Sequence, residues 1–111
     1  MVFDIHDKGF DFRKAVSNLD TFGRELELDP KRMKKVQSVF EELCVISILN
    51  CSEIPQAKVT FEYTKKFDEL KMIVRYPAEQ SIAVSDISYR IAMANTKTLQ
   101  MDIPGEITAT F

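Results

Sequence analysis

Near residue 57 the hydrophobic period of this chain changes, and that change limits the folds open to it. Upstream, over residues 32–50 (RMKKVQSVFEELCVISILN), Met33, Val36, Phe40, Leu43 and Ser47 recur at helical spacing, with Lys34, Lys35 and Glu41 off that face. Downstream, Val59, Phe61 and Tyr63 alternate with Lys58, Thr60, Glu62 and Thr64, and Leu70, Met72, Val74 and Tyr76 alternate with Lys71 and Arg75. This second pattern is a β-hairpin with one buried face, joined through a charged loop at Lys65, Lys66 and Asp68. Ile73 is the one apolar residue on its polar face. A one-sided helix followed by a one-sided hairpin buries both apolar faces by stacking them.

The helix has a clear start. Asp29 offers an N-cap oxygen, and Pro30 suits the first helical position, where a missing N–H costs nothing. From Leu43 to Leu49 the side chains are apolar almost all round, as in a helix buried on most sides, with Glu41 and Glu42 at the junction. Before it, residues 2–6 read as a short strand, and Asp7, Lys8 and Gly9 as a turn. Asp11 then caps a first helix with Phe12, Ala15, Leu19, Phe22 and Leu26 on its apolar face. Gly23 within it permits a close approach by a neighbouring element. The short link Leu28-Asp29-Pro30 makes the two helices neighbours.

After residues 51–56, which form a polar connection containing Pro55, and the hairpin that follows, Pro77 ends the second strand. Ser85 caps a third helix bearing Val84, Ile87, Ile91 and Ala94. Leu99, Met101 and Ile103 alternate, Pro104-Gly105 turns the chain in the manner of a type II turn, and Ile107, Ala109 and Phe111 alternate again. The order is strand, helix, helix, hairpin, helix, hairpin. It predicts an α+β, two-layer α/β sandwich, with three helices on one face of a mixed sheet of four or five strands. Lys58, Thr60, Glu62, Lys71, Arg75, Gln100, Asp102, Thr108 and Thr110 then face water.

The 111 residues make one domain, able to bury most of its surface without a disulfide or a metal. Phe111 ends the chain in mid-pattern, as in a domain cut from a longer protein or in a chain that closes on its final strand. A net charge of −2 with interspersed signs argues against a general nucleic-acid binder. There is no apolar run of about 18 residues and no signal-peptide layout, so the expectation is a cytoplasmic protein with no membrane insertion. Cys44 and Cys51 lie roughly 10 Å apart if the helix runs on to both, too far for a disulfide within it. They read as reduced packing residues, and His6 as a solvated or structural histidine. Met33, Met72, Met93 and Met101 read as packing residues after the start Met1. The basic runs, residues 31–35 (KRMKK) and Lys65-Lys66, read as solvated faces. The first also lies near a helix N-terminus, where positive charge is unfavourable and a phosphate or acidic partner would relieve it.

The element order, the segment VFEELCVISIL and the strand ending LKMIVRYP resemble the histidine-kinase-like ATPase (GHKL) family, within it the anti-sigma-factor and serine-kinase branch. The resemblance spans nearly the whole chain. In that family the helix carries Glu-x-x-x-Asn, a carboxylate that orients water or accepts a proton and an asparagine that binds Mg²⁺. Glu42 matches the carboxylate, but Ile46 stands in the asparagine position and cannot coordinate a hard cation. An Asp-x-Gly that reads adenine corresponds to Tyr76-Pro77-Ala78, without the aspartate or the glycine. The glycine-rich phosphate lid corresponds to residues 78–85, which contain no glycine and leave Ser85 at a helix start.

The resemblance therefore implies the family's fold with its nucleotide site erased: no catalytic residue beyond a vestigial Glu42, a vestigial pocket at Ile46, Tyr76 and Ala78, no cofactor and no metal. The function expected is a non-catalytic regulatory or protein-interaction domain that meets a protein partner or a second copy of itself. The alternative is an ATP-binding anti-sigma factor or serine kinase using other ligands, with Glu42, Ser47 and Asn50 the nearest stand-ins. A third reading is a small-molecule sensor with a residual apolar pocket at Ile46, Met72 and Tyr76. The bland reading leaves Glu41 and Glu42 as solvated carboxylates in an unrelated two-layer domain.

Overall fold

The computed structural model describes residues 1–5, 10–49, 56–80 and 82–111. The chain runs β1 (Val2–Ile5), α1 (Phe12–Glu25), α2 (Pro30–Phe40), a π-helical stretch (Glu41–Leu49), β2 (Ala57–Thr64), a 3₁₀ turn (Lys65–Phe67), β3 (Glu69–Arg75), α3 (Asp86–Ala94), β4 (Thr98–Gln100) and β5 (Glu106–Thr110). One five-stranded sheet has the order β1-β2-β3-β5-β4. The helices cover one face of it, which makes the α+β two-layer sandwich. The element order predicts a mixed sheet, yet every pairing is antiparallel. The reason is topological. β3 and β4 run in the same direction across α3, but β5 inserts between them and pairs with both.

Local chemistry sets the helix starts. Asp11 Oδ1 accepts from the Lys14 N–H at 3.1 Å, Asp29 Oδ1 from Lys31 N–H at 2.9 Å, and Ser85 Oγ from Ser88 N–H at 3.1 Å. Gly23 is buried at the α1–α2 crossing, where a Cβ would stand 2.7 Å from Met33 Cγ. The close neighbour there is thus a side chain. Leu26, expected on the α1 apolar face, lies on the surface as the helix ends.

The core is aromatic at its centre. Phe40 is fully buried, stacked on Phe12 at 6.3 Å and surrounded by Phe3, Phe10 and Phe61 at 5.7, 6.4 and 5.9 Å. Four of these rings come from separate segments of the chain, so Phe40 ties β1, α1, α2 and β2 together. Val59, Phe61, Leu70, Met72, Val74, Ile107, Ala109 and Phe111 fill the inner face of the sheet as the alternation predicts. On the open face the register lines up Asp4, Lys58, Arg75 and Glu106 in one row. The next row holds Val2, Thr60, Ile73, Thr108 and Gln100. Ile73 is half-buried there between the side chains of its row.

At the Pro104-Gly105 turn, Glu106 N–H donates to Ile103 C=O at 3.1 Å and Gly105 has φ +77°. This is the type II arrangement, with glycine where φ must be positive. Among the described residues no helix is long and apolar enough to cross a membrane.

Two further expectations change. The helix over residues 32–50 is not one regular α-helix: from Glu41 it widens to i→i+5 winding. Val45, Ile46 and Ile48 in this stretch are β-branched, a side-chain type that slightly disfavours the α-helix. The third helix is also rotated from its expected phase. Ser88 and Ala92 point inward, while Ile87 is 72% exposed and Met93, expected to pack, is 47% exposed. Ser88 faces inward because it has a polar partner there.

Candidate functional site

That partner is Glu42. The Ser88 hydroxyl donates to Glu42 Oε2 at 2.7 Å, joining the first turn of α3 to the start of the π-helical stretch. Ser47, also buried, donates its hydroxyl to the Glu42 backbone C=O at 2.7 Å, the carbonyl five residues back. The Glu42 segment is therefore held by two serine hydroxyls, one from its own helix and one from α3. Ser85, meanwhile, spends its own oxygen on the Ser88 N–H. Glu41 stays exposed.

Ile46, four residues after Glu42, is 43% exposed. It adds an apolar group to the surface where the resemblance expects an asparagine. Tyr76 and Ala78 lie beyond β3, against the Pro104-Gly105 turn. Tyr76 N–H donates to Gly105 C=O at 3.0 Å, and a Cβ on Gly105 would stand 2.8 Å from Tyr76 O and 3.0 Å from Ala78 Cα. The turn is packed onto the backbone where the resemblance places adenine recognition. Tyr76 and Ala78 do line an open cleft of about 350 Å³, with Ile82, Met101 and Pro104, but neither Ile46 nor Met72 contributes to it. Met72 is fully buried in the core. The apolar pocket expected from Ile46, Met72 and Tyr76 together is thus not formed: one member is core, one is at the helix surface, and one is beside the turn.

Cys44 is buried, and burial pushes its thiol well above the ordinary range, which leaves it inert. His6, Asn50 and Cys51, together with the turn at Asp7, Lys8 and Gly9 and the connection containing Pro55, lie outside the described residues. Among the described residues no three His, Cys, Asp or Glu side chains converge as metal ligands would.

A second polar cluster, unmarked by any motif, sits near the opposite end of the helical layer. Arg32 Nη1 donates to Asp68 Oδ1 at 2.6 Å, and Nη2 donates to the backbone oxygens of Asp68 and Phe111 at 2.8 and 2.7 Å. Tyr63 Oη donates to the same Asp68 oxygen at 2.7 Å, and the guanidinium lies 5.9 Å from the centre of the Tyr63 ring. Asp68 adopts a left-handed conformation with φ +46°, which aspartate tolerates better than most residues. Hydrogen bonds from Arg32, then from Tyr63, hold the Asp68 carboxyl below its usual range. The Tyr63 phenol is raised, chiefly because its proton is shared with Asp68. A guanidinium reaching across 36 residues of sequence leaves no local pattern; the only trace was one arginine among the lysines of KRMKK.

The sequence matches no protein-family model and no curated protein.

Proposed function

We propose that this chain is a non-catalytic regulatory or protein-interaction module, with a histidine-kinase-like ATPase type of fold whose nucleotide site has been lost. The observation that carries this reading is the hydrogen bond between Glu42 and Ser88. The one polar group retained from the family's motif is committed to holding two helices together, and the next site position along the helix is the exposed Ile46. Packing of the Pro104-Gly105 turn against Tyr76 and Ala78 supports the same reading. Exposed apolar side chains are available to a partner: Ile46 beside Glu42 and, along α3, Ile87, Tyr89 and Met93. The partner is another protein or a second copy of this chain.

The test is a thermal shift with ATP, ADP and Mg²⁺, followed by calorimetry. A nucleotide at about 100 times its dissociation constant adds roughly 2.7 kcal/mol of stability, which such a scan reads easily. The expected result is no magnesium-dependent shift. A clear one would overturn the erased-site reading and put an ATP-binding anti-sigma factor or serine kinase in its place. Mass measurement in solution then separates a second copy from a different partner.

A further inference from the structure

We propose that the cleft between the N-terminal turns of α2 and the C-terminal end of α3 is a docking site for an acidic peptide segment of a partner protein. It is an open cleft of about 500 Å³, and it stands apart from Glu42 and Ile46, so it does not depend on how the nucleotide question is answered.

The argument is one of charge. With the Phe111 main-chain oxygen held by Arg32, the cleft is bordered by Lys31, Arg32 and Lys35 from α2 and by Lys97 beyond α3, against only two side-chain carboxylates. Both of these are already committed. Asp29 caps α2 through the Lys31 N–H, and Asp68 is held by Arg32 and Tyr63. Among the described residues no carboxylate comes within 4 Å of the Lys31, Lys35 or Lys97 ammonium groups.

This surplus sits where the fold does not want it. Lys31 and Lys35 are one helical turn apart, a repulsive spacing, in the first turns of a helix whose N-terminus is already positive. Beyond the capping Asp29, no acidic side chain in the first turn offsets them. The lysine across the cleft is not needed to satisfy the end of α3 either. Asn95 Nδ2 and Thr96 Oγ1 already donate to the Ile91 and Ala92 carbonyls at 2.7 and 2.9 Å. The framework is fixed: Arg32 locks α2 to the Asp68 turn and to Phe111, and Lys97 N–H donates to Thr110 C=O at 2.7 Å. Three ammonium groups without an ion-pair partner among the described residues, of which Lys97 also feels the Asp68 charge, favour on this rigid frame carboxylates presented along an extended segment. A peptide fits better than nucleic acid because the whole chain is net negative, which opposes a long polyanion while leaving a local contact attractive.

The experiment titrates the 111-residue chain into a labelled peptide of alternating glutamate and leucine, at low salt, reading fluorescence anisotropy. Its glutamine counterpart and a single-stranded DNA oligonucleotide serve as comparisons. Binding is expected for the glutamate peptide, weakening as salt is added, and the glutamine peptide is expected not to bind. K31E/K35E/K97E is expected to weaken it roughly tenfold or more, from the sum of three reversed surface contacts. K58E, on the open face of the sheet, changes charge without touching the cleft and is expected to have a much smaller effect. Amide-shift mapping on the unaltered protein gives a second readout independent of how the variants fold. The largest shifts are expected at Lys31, Asn95 and Lys97. No binding, equal effects of K58E and the triple variant, shifts centred elsewhere, or tighter binding of the oligonucleotide would each overturn the proposal.

Discussion

The two ends of the helical layer use their polar groups in opposite ways. Around Glu42, Ser88 and Ser47 are turned inward and hold the Glu42 segment, while Ile46 and Ile87 stand at the surface with the exposed Glu41. Around Arg32, one cation is turned inward to bind Asp68 and Phe111, and three lysines border the same cleft without an ion-pair partner among the described residues. Glu42 and Arg32 are carried by one continuous helical segment, and α3 reaches both regions, Ser88 at one and Ala94 at the other. The lesson is that a shared scaffold does not give its ends a shared role. On the function proposed, the end that the sequence likens to a nucleotide site serves as a helix joint, and the end with no motif carries the surplus of positive charge.

That comparison requires the helical segment to be held as a unit, and Phe40 lies between the two ends. Phe40→Ala removes the ring on which Phe3, Phe10, Phe12 and Phe61 converge, and is expected to cost about 3–5 kcal/mol in urea unfolding. A loss under about 1 kcal/mol would show that the aromatic cluster does not unite the layer. Next in size is Ser88→Ala. It leaves Glu42 half-buried without its hydroxyl donor, and is expected to cost about 1–2 kcal/mol. A double-mutant cycle with Glu42→Ala isolates the pair. No coupling between them would mean that this end is not sealed by the hydrogen bond, and would reopen Glu42 to chemistry.

The charged end is read by pH. Arg32 and Tyr63 hold the folded-state Asp68 pKa below its ordinary value of 3.8. The carboxylate therefore stabilises the fold above that ordinary value, and the contribution is lost as pH falls through the lower, folded-state value. Asp68→Asn is expected to lose less stability than the unaltered protein on going from neutral pH to about pH 2, measured as the change in urea midpoint. Equal losses would show that the Asp68 charge does not contribute to holding this end.

Most of the architecture was legible because it rests on short-range rules. Asp11, Asp29 and Ser85 cap the helices they were expected to cap. Val59, Phe61, Leu70, Met72 and Val74 face inward because a period of two admits only one buried face. What was not legible depends on contacts between distant residues. The phase of α3 depends on Ser88 meeting Glu42 across 46 residues, and a polar residue facing inward defeats a reading based on apolar spacing. The insertion of β5 between β3 and β4 is a matter of topology that alternation does not encode. The same holds for Arg32: its reach to Asp68 and Phe111 turned a run expected to be a solvated face into the wall of a cleft.

The smallest expected effect is the sharpest test of the sealed end. Ile46→Asn restores the side chain that the family resemblance calls for, at a position exposed enough that stability should change by no more than about 0.5 kcal/mol. It is not expected to create magnesium-dependent ATP binding. One amide oxygen supplies a single ligand to a hard cation that wants several, and Glu42 remains engaged by Ser88. The base would still meet Tyr76 and Ala78 packed against the Pro104-Gly105 turn. Calorimetry on this variant with ATP and Mg²⁺ decides the matter. Tight, magnesium-dependent binding would mean that the remaining groups already form a nucleotide pocket one ligand short, and the end read here as a joint would then be the functional end.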